Sequence, residues 1–220
     1  MFLRNLLLKK ISPDAHSYFV YFEKEYKDKL TFPYPWDYYS DRYNGFRRIF
    51  ETLLAKKPGD FTIIETGTLR TKDQWSDGQS SRLFYEFLNI FGGKLITIDI
   101  DPKALSVCRR VLGQSVRKTG RARLQLVLGD SRTELTKIDE PVDLVYLDSL
   151  DVGDDPEPAM QHALQEFKSL DKIVQRSPGL LVAIDDNRDN IGKGKYPLAW
   201  AKNSGQQILH DGYQILFRMR

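Results

Sequence analysis

Cysteine is almost absent. The single Cys108 in 220 residues excludes a disulfide framework and a thiolate zinc site. That scarcity fits a reducing, cytoplasmic setting. No charge of one sign dominates: 33 Lys+Arg stand against 30 Asp+Glu, a formal +3. So weak a bias gives no argument for nucleic acid. No run approaches the roughly 20 apolar residues of a membrane span. The start, MFLRNLLLKK, is apolar for only a few residues and has no small-residue cleavage site, which argues against a signal peptide. Repeats and low-complexity tracts are missing too. So is the dinucleotide fingerprint G-x-G-x-x-G, because the glycine after Gly67 is Gly78; this counts against NAD or FAD. The phosphate loop G-x-x-x-x-G-K-[ST] is also absent. Gly192-Lys193-Gly194-Lys195 lacks its spacing and hydroxyl, and reads as a mobile loop or lid.

What remains is ordinary in bulk. With 41% apolar and 29% charged residues, the chain reads as a soluble globular protein, long enough for one α/β domain with an appendage. Residues 1–60 form a helical, aromatic-rich cap. Leu3, Leu6 and Leu7 predict a short helix ended by Ser12-Pro13, and Phe19, Phe22 and Tyr26 predict a second. After "TFPYPWDYYSDRYNG", Tyr39, Tyr43, Phe46, Ile49, Phe50, Leu53 and Leu54 recur at helical spacing until Lys57-Pro58-Gly59 stops them. The aromatic segment either packs on the core, lines a substrate pocket, or makes a homodimer contact.

Residues 61–220 follow a regular pattern. Apolar runs at "FTIIET", "KLITIDID", "LQLVLGD", "VDLVYLD" and "GLLVAIDD" are continuous rather than alternating, as in strands buried on both faces. Helical patterns at 80–90, 102–112 and 158–176 separate most of them. Such alternation predicts βαβ units and a parallel sheet. "QQILH", Asp211-Gly212 and "YQILFRMR" predict a closing antiparallel hairpin.

Each parallel strand ends in acid: Glu65, Asp99, Asp130, Asp148, and the pair Asp185-Asp186. Ligands of open α/β sheets bind at the carboxyl ends of the strands, so these acids describe one rim over a cleft. Gly67 stands where backbone must pass close to a ligand. Asp99, with two acceptor oxygens at the end of the second strand, matches the vicinal diol of a ribose. A ribose acid without a phosphate loop points to a nucleoside cofactor lacking phosphates.

In motif order, these residues resemble the class I S-adenosylmethionine-dependent methyltransferases. "IIETGT" resembles the motif that wraps the methionine end, implying contacts from Glu65, Thr66, Gly67 and Thr68, with Ser80 on the following helix. "ITIDIDP" resembles the ribose motif, with Asp99 and Ile100. "LGDS" places Asp130 and Ser131 beside the adenine, and "VYLDS" contributes Asp148. The resemblance implies a Rossmann-like, mostly parallel seven-stranded sheet with an antiparallel C-terminal hairpin and helices on both faces.

Within that family the chain is similar to metal-dependent O-methyltransferases of the catechol and macrolide-sugar type. That similarity implies Mg²⁺, with Mn²⁺ or Ca²⁺ as alternatives, at Asp148, Asp185 and Asp186; a one-residue slip to Asp186-Asn187 stays open. Relatives carry a Lys or His base three residues after the fourth-strand Asp. Asp151 holds that position here, and His162 is the alternative base. An inserted loop, "LRTKDQWSD", brings Trp75, expected over the cofactor or substrate. The implied reaction is methyl transfer to a hydroxyl of a small molecule with vicinal oxygens. Two rivals stay open: a metal-independent methyltransferase, and a non-catalytic nucleotide or nucleotide-sugar binding module.

Overall fold

The computed structural model describes residues 14–33, 39–75, 78–115, 120–187 and 192–220. The helix expected from Leu3, Leu6 and Leu7 and residues 34–38 of the aromatic segment lie outside the described residues. A short antiparallel pair, β1 (Thr31–Pro33) and β2 (Tyr39–Asp41), comes first. The main sheet contains β3 (Phe61–Thr66), β4 (Gly93–Asp99), β5 (Ala122–Leu128), β6 (Leu144–Leu147), β7 (Leu181–Ile184), β8 (Gln207–Asp211) and β9 (Ile215–Arg218). Its seven strands run in the order β5-β4-β3-β6-β7-β9-β8. Strands β3 to β7 are parallel, and β9 enters antiparallel between β7 and β8. Five parallel strands closed by a hairpin is the arrangement expected from the apolar runs.

The helices are α1 (Ala15–Leu30), α2 (Arg42–Lys56), α3 (Ser80–Phe91), α4 (Pro102–Ser115), α5 (Ser131–Glu134), α6 (Glu157–Lys168), α7 (Asp171–Arg176) and α8 (Lys195–Asn203). None among the described residues is long and apolar enough to cross a membrane. Asp14 caps α1 by accepting from the Ser17 backbone N–H at 2.8 Å. Asp41 caps α2 by accepting from that of Asn44 at 3.1 Å. Side-chain caps satisfy the first free N–H groups of a helix. The second of them fixes Arg42 as the opening residue of α2. The single helix expected over 158–176 is broken instead. Ser169 turns its hydroxyl back to the Gln165 carbonyl at 3.0 Å, and its N–H is shared among the carbonyls of Gln165, Glu166 and Phe167. This local bonding competes with continuation of the helix.

Neighbouring strand residues face opposite sides of the sheet, and each side has its own core. Ile63, Leu144 and Leu181 join one cluster with the aromatics of α1, α2 and α3. Ile64, Val145 and Val182 join the other with Phe167, Leu170 and Ile173. The first cluster runs without a break from Tyr18, Phe22 and Tyr26 through Phe50 and Phe87 to Phe61 of the sheet. These aromatics of the cap therefore pack on the core. Helix α3 lies between sheet and cap, so all of its residues but Asn89 are buried. Even Glu86 is buried there, accepting from the Tyr26 and Tyr21 hydroxyls.

Candidate functional site

Chain order reverses between β3 and β6, which are neighbours in the sheet. A crevice opens at such a switch point, outside the carboxyl ends of the strands. Gly67, immediately after β3, has φ +75°, and a Cβ there would collide with the Asp148 carbonyl. Only glycine combines that backbone with that approach. The crevice holds a cavity of about 520 Å³, lined among others by Arg42, Thr68, Ser80, Asp99, Asp148 and Asp186. That size suits a small-molecule site. An adjoining lobe of about 200 Å³ shares Gly67, Asp99 and Ile100 and adds Asp130, Ser131 and His162.

The structure thus gathers Gly67, Thr68, Ser80, Asp99, Ile100, Asp130, Ser131 and Asp148 along one cleft. Asp99 is positioned by backbone: the Thr68 N–H donates to Oδ2 at 3.0 Å and the Asp101 N–H to Oδ1 at 2.8 Å. A carboxylate oxygen has two lone pairs, so each retains one for a ligand. Asp130 caps α5 and is forked by Arg132, with contacts of 2.9 and 2.5 Å. That pairing pulls its carboxyl down to about 2.

Glu65 and Thr66 stand apart from the cleft. Both are fully buried. The Thr66 hydroxyl accepts from the Asp148 backbone N–H at 3.1 Å and so fixes the end of β6. Glu65 faces inward and accepts from the Ser81 hydroxyl at 2.5 Å, while Ser81 in turn accepts from the Leu69 N–H at 3.0 Å. Ser81, which sequence reasoning passed over for Ser80, thereby ties the first loop to β3. Burial pushes the Glu65 carboxyl up to about 7. Its protonated form is favoured by folding, so stability falls as pH rises from the unfolded value near 4.5 through about 7. At about 1.4 kcal/mol per pH unit, this window is worth about 3 kcal/mol. Glu65→Gln, measured by denaturant titration from pH 4 to 8, should flatten that decline and gain stability mainly at the alkaline end.

Asp148, Asp185 and Asp186 converge as the strand ends predict, and two cations of the chain meet them. The Lys193 ammonium lies 2.5 Å from Asp148 and 3.1 Å from Asp186. The Arg42 guanidinium bonds Asp185 directly and lies 3.9 Å from Asp148. Lys193 is 2% exposed, Arg42 4% and Asp185 1%. Burial opposes charge on Lys193, yet Asp148 and Asp186 outweigh it and hold the ammonium charged. Burial also opposes charge on Asp186, but Lys193, the Tyr213 hydroxyl at 2.6 Å and Arg42 bring its pKa well below the usual range. For Asp148 burial prevails and the pKa is raised, with Lys193 working against the shift and Asp185 and Asp186 adding to it. Asp186 adopts φ +51°, a left-handed conformation that Asp tolerates better than most residues.

Several expectations are corrected by this geometry. Asn187 donates its side-chain amide to the Gly212 carbonyl at 3.0 Å. Its side chain is turned to the hairpin. The Gly192-Lys193-Gly194 segment carries a buried ammonium rather than acting as a free lid. Among the described residues no His/Cys/Asp/Glu group stands in a metal-holding arrangement. An ammonium already bridges two of the three expected Mg²⁺ ligands, and a guanidinium covers the third; as placed, they do not fit a divalent ion. Asp151 is forked by Arg70 at 2.7 and 3.0 Å, and that bond lowers its pKa, which weakens it as a base. His162 lines the smaller lobe, 3.4 Å from the Ser131 hydroxyl. Trp75 packs on Tyr26, with Lys29 and Arg82 over its ring, away from the cavity lining.

Arg42 and Lys193 are the site residues that sequence reading missed. Lys193 left one signal, a lysine held between two glycines close behind an acidic pair. A Cβ at Gly194 would press on the ends of the Ile215 and Asn187 side chains, which would have to shift. Arg42 left none.

No family model matches the chain, and no curated protein matches it. Solved structures do. An SAH-bound methyltransferase of Podospora anserina, PaMTH1, is 16% identical over 96% of this chain and 91% of that one, with TM-score 0.52. The MycE methyltransferase of the mycinamycin biosynthetic pathway, in complex with Mg and SAH, is 17% identical with TM-score 0.50. The match covers 80% of this chain and 50% of MycE, so this chain spans about half of MycE. At such identities the likeness establishes architecture, and that architecture is the Rossmann-like fold of the methyltransferases.

Proposed function

We propose that this chain is an S-adenosylmethionine-dependent methyltransferase acting on a hydroxyl of a small polar acceptor. The observation that carries this reading is Asp99. Its two oxygens are fixed by backbone N–H groups, each with a lone pair to spare, beside the glycine at the switch point. Ile100 and Leu150 support it: both line the smaller lobe while exposed by 72% and 41%. Apolar side chains left open at a cavity suit a planar base between them. The likeness to two methyltransferases solved with SAH supports the class of cofactor.

The methyl group would pass in line from the cofactor sulfonium to the acceptor oxygen, and the protein supplies alignment. Arg42, Arg70, Asp148 and Asp151 make the larger cavity polar, which favours a hydroxylated acceptor such as a sugar or catechol. Asp148 faces that cavity with a raised pKa. We assign it the acceptor proton in preference to Asp151 and His162. The Mg²⁺-assisted form implied by the sequence resemblance would place the ion on Asp148, Asp185 and Asp186. Those carboxylates face Lys193 and Arg42 here.

The reading is tested with methyl-labelled cofactor and a panel of hydroxylated small molecules. Label should transfer to an acceptor, and Asp148→Asn should lower that rate about 10²–10⁴-fold while S-adenosylhomocysteine still binds. Transfer unaffected by Asp148→Asn would remove the assigned base. Failure to transfer or to bind would favour a binding module.

A further inference from the structure

The three acids at the ends of β6 and β7 raise a question of charge. Three carboxylates drawn together repel one another, and burial makes the repulsion worse. Something must hold them. A divalent ion would do so through close oxygen contacts, keeping water in its remaining positions. The chain places an ammonium there instead. Lys193 bridges Asp148 and Asp186 at 2.5 and 3.1 Å, and Arg42 bonds Asp185 and approaches Asp148 at 3.9 Å.

Two features make this arrangement built rather than incidental. Lys193 reaches the acids from a segment tied to them by backbone, since its N–H donates to the Asp186 carbonyl at 3.1 Å. Asp186 takes its left-handed backbone, which costs energy in a non-glycine residue, and there its carboxylate meets both Lys193 and the Tyr213 hydroxyl. An incoming ion would have to expel an ammonium that is 2% exposed. The expelled group would have to reach water or stay buried beside a second positive centre.

We propose that Lys193, with Arg42, is the resident cation of this acidic cluster and stands in place of a divalent metal. It acts as a positioning residue: it holds Asp148 and Asp186 in register at the cavity wall and touches no substrate itself. The site then works without added metal, a consequence that rests on the methyltransferase reading. The occupancy of the cluster does not.

The test is titration with Mn²⁺, followed by loss of the free-ion electron paramagnetic resonance signal. Wild-type protein should take up no Mn²⁺ at micromolar concentration. Lys193→Ala should gain Mn²⁺ affinity by about tenfold or more, because the acids are then left with one cation. Lys193→Met, close in volume, serves if the alanine variant is poorly folded. Tight Mn²⁺ uptake by wild-type protein, lost in Asp185→Asn, would overturn the proposal. So would lysine variants that fold and gain no affinity, because the acids would then be no cation site at all. Where transfer activity is found, a chelator should leave the wild-type rate unchanged. If no activity is found, the proposed function fails while the Mn²⁺ titration still decides this point.

Discussion

Asp185→Ala should destabilise the protein by about 3–5 kcal/mol, or roughly 6–20 °C in melting temperature for a chain of this size. The direct loss of one ion pair is the smaller part of that. Arg42 is 4% exposed and opens α2 of the cap, against the Phe46 ring. Without Asp185 its closest carboxylate is Asp148, at 3.9 Å, and a guanidinium shut away from water with so distant a partner is costly. Asp185→Asn keeps the shape and removes the charge, so it should show most of the loss. A double replacement, Asp185→Leu with Arg42→Met, removes both charges and should cost less than the sum of the two single changes. Thermal melts of the four proteins check this. Additive losses would mean that the two groups are not coupled.

Asp99→Ala should weaken S-adenosylhomocysteine binding by about 10²-fold or more. Two hydrogen bonds from ribose hydroxyls to a charged acceptor are worth about 1.5–3 kcal/mol each, and every 1.4 kcal/mol is about tenfold in affinity. Part of the loss comes through the loop, because the Thr68 and Asp101 N–H groups lose the acceptor that orders them. Asp99→Asn retains one side-chain oxygen and should fall between wild type and the alanine variant. Calorimetry of the three proteins measures the series. Equal affinities would place the ribose elsewhere.

The architecture was legible because it is written in local pattern. Leu144 to Leu147 and Leu181 to Ile184 are buried at every position, which is why they read as continuous apolar runs. The hairpin announced itself through Asp211-Gly212, although the observed ladder carries a bulge between Ile208 and His210. The cleft followed from strand direction, since parallel strands bring their carboxyl ends to one edge. Charge pairing was not legible. Arg42 and Asp185 are 143 positions apart, and Asp148 and Lys193 are 45 apart; no periodicity relates such residues. Glu65 read as a rim acid because position along a strand does not reveal which face a side chain takes. The neighbouring Ser81 hydroxyl and complete burial decide that it points inward. Trp75 reads as a residue over the cofactor or substrate because its loop is an insertion, whereas Tyr26 and two cations draw it onto the cap.

The most direct measurement is a calorimetric titration of the purified protein with S-adenosylhomocysteine, run with and without Mg²⁺. Binding at one site per chain, with micromolar affinity and no dependence on Mg²⁺, is the expected result. A folded protein that binds none of it in either buffer would contradict the cofactor assignment on which the proposed function stands.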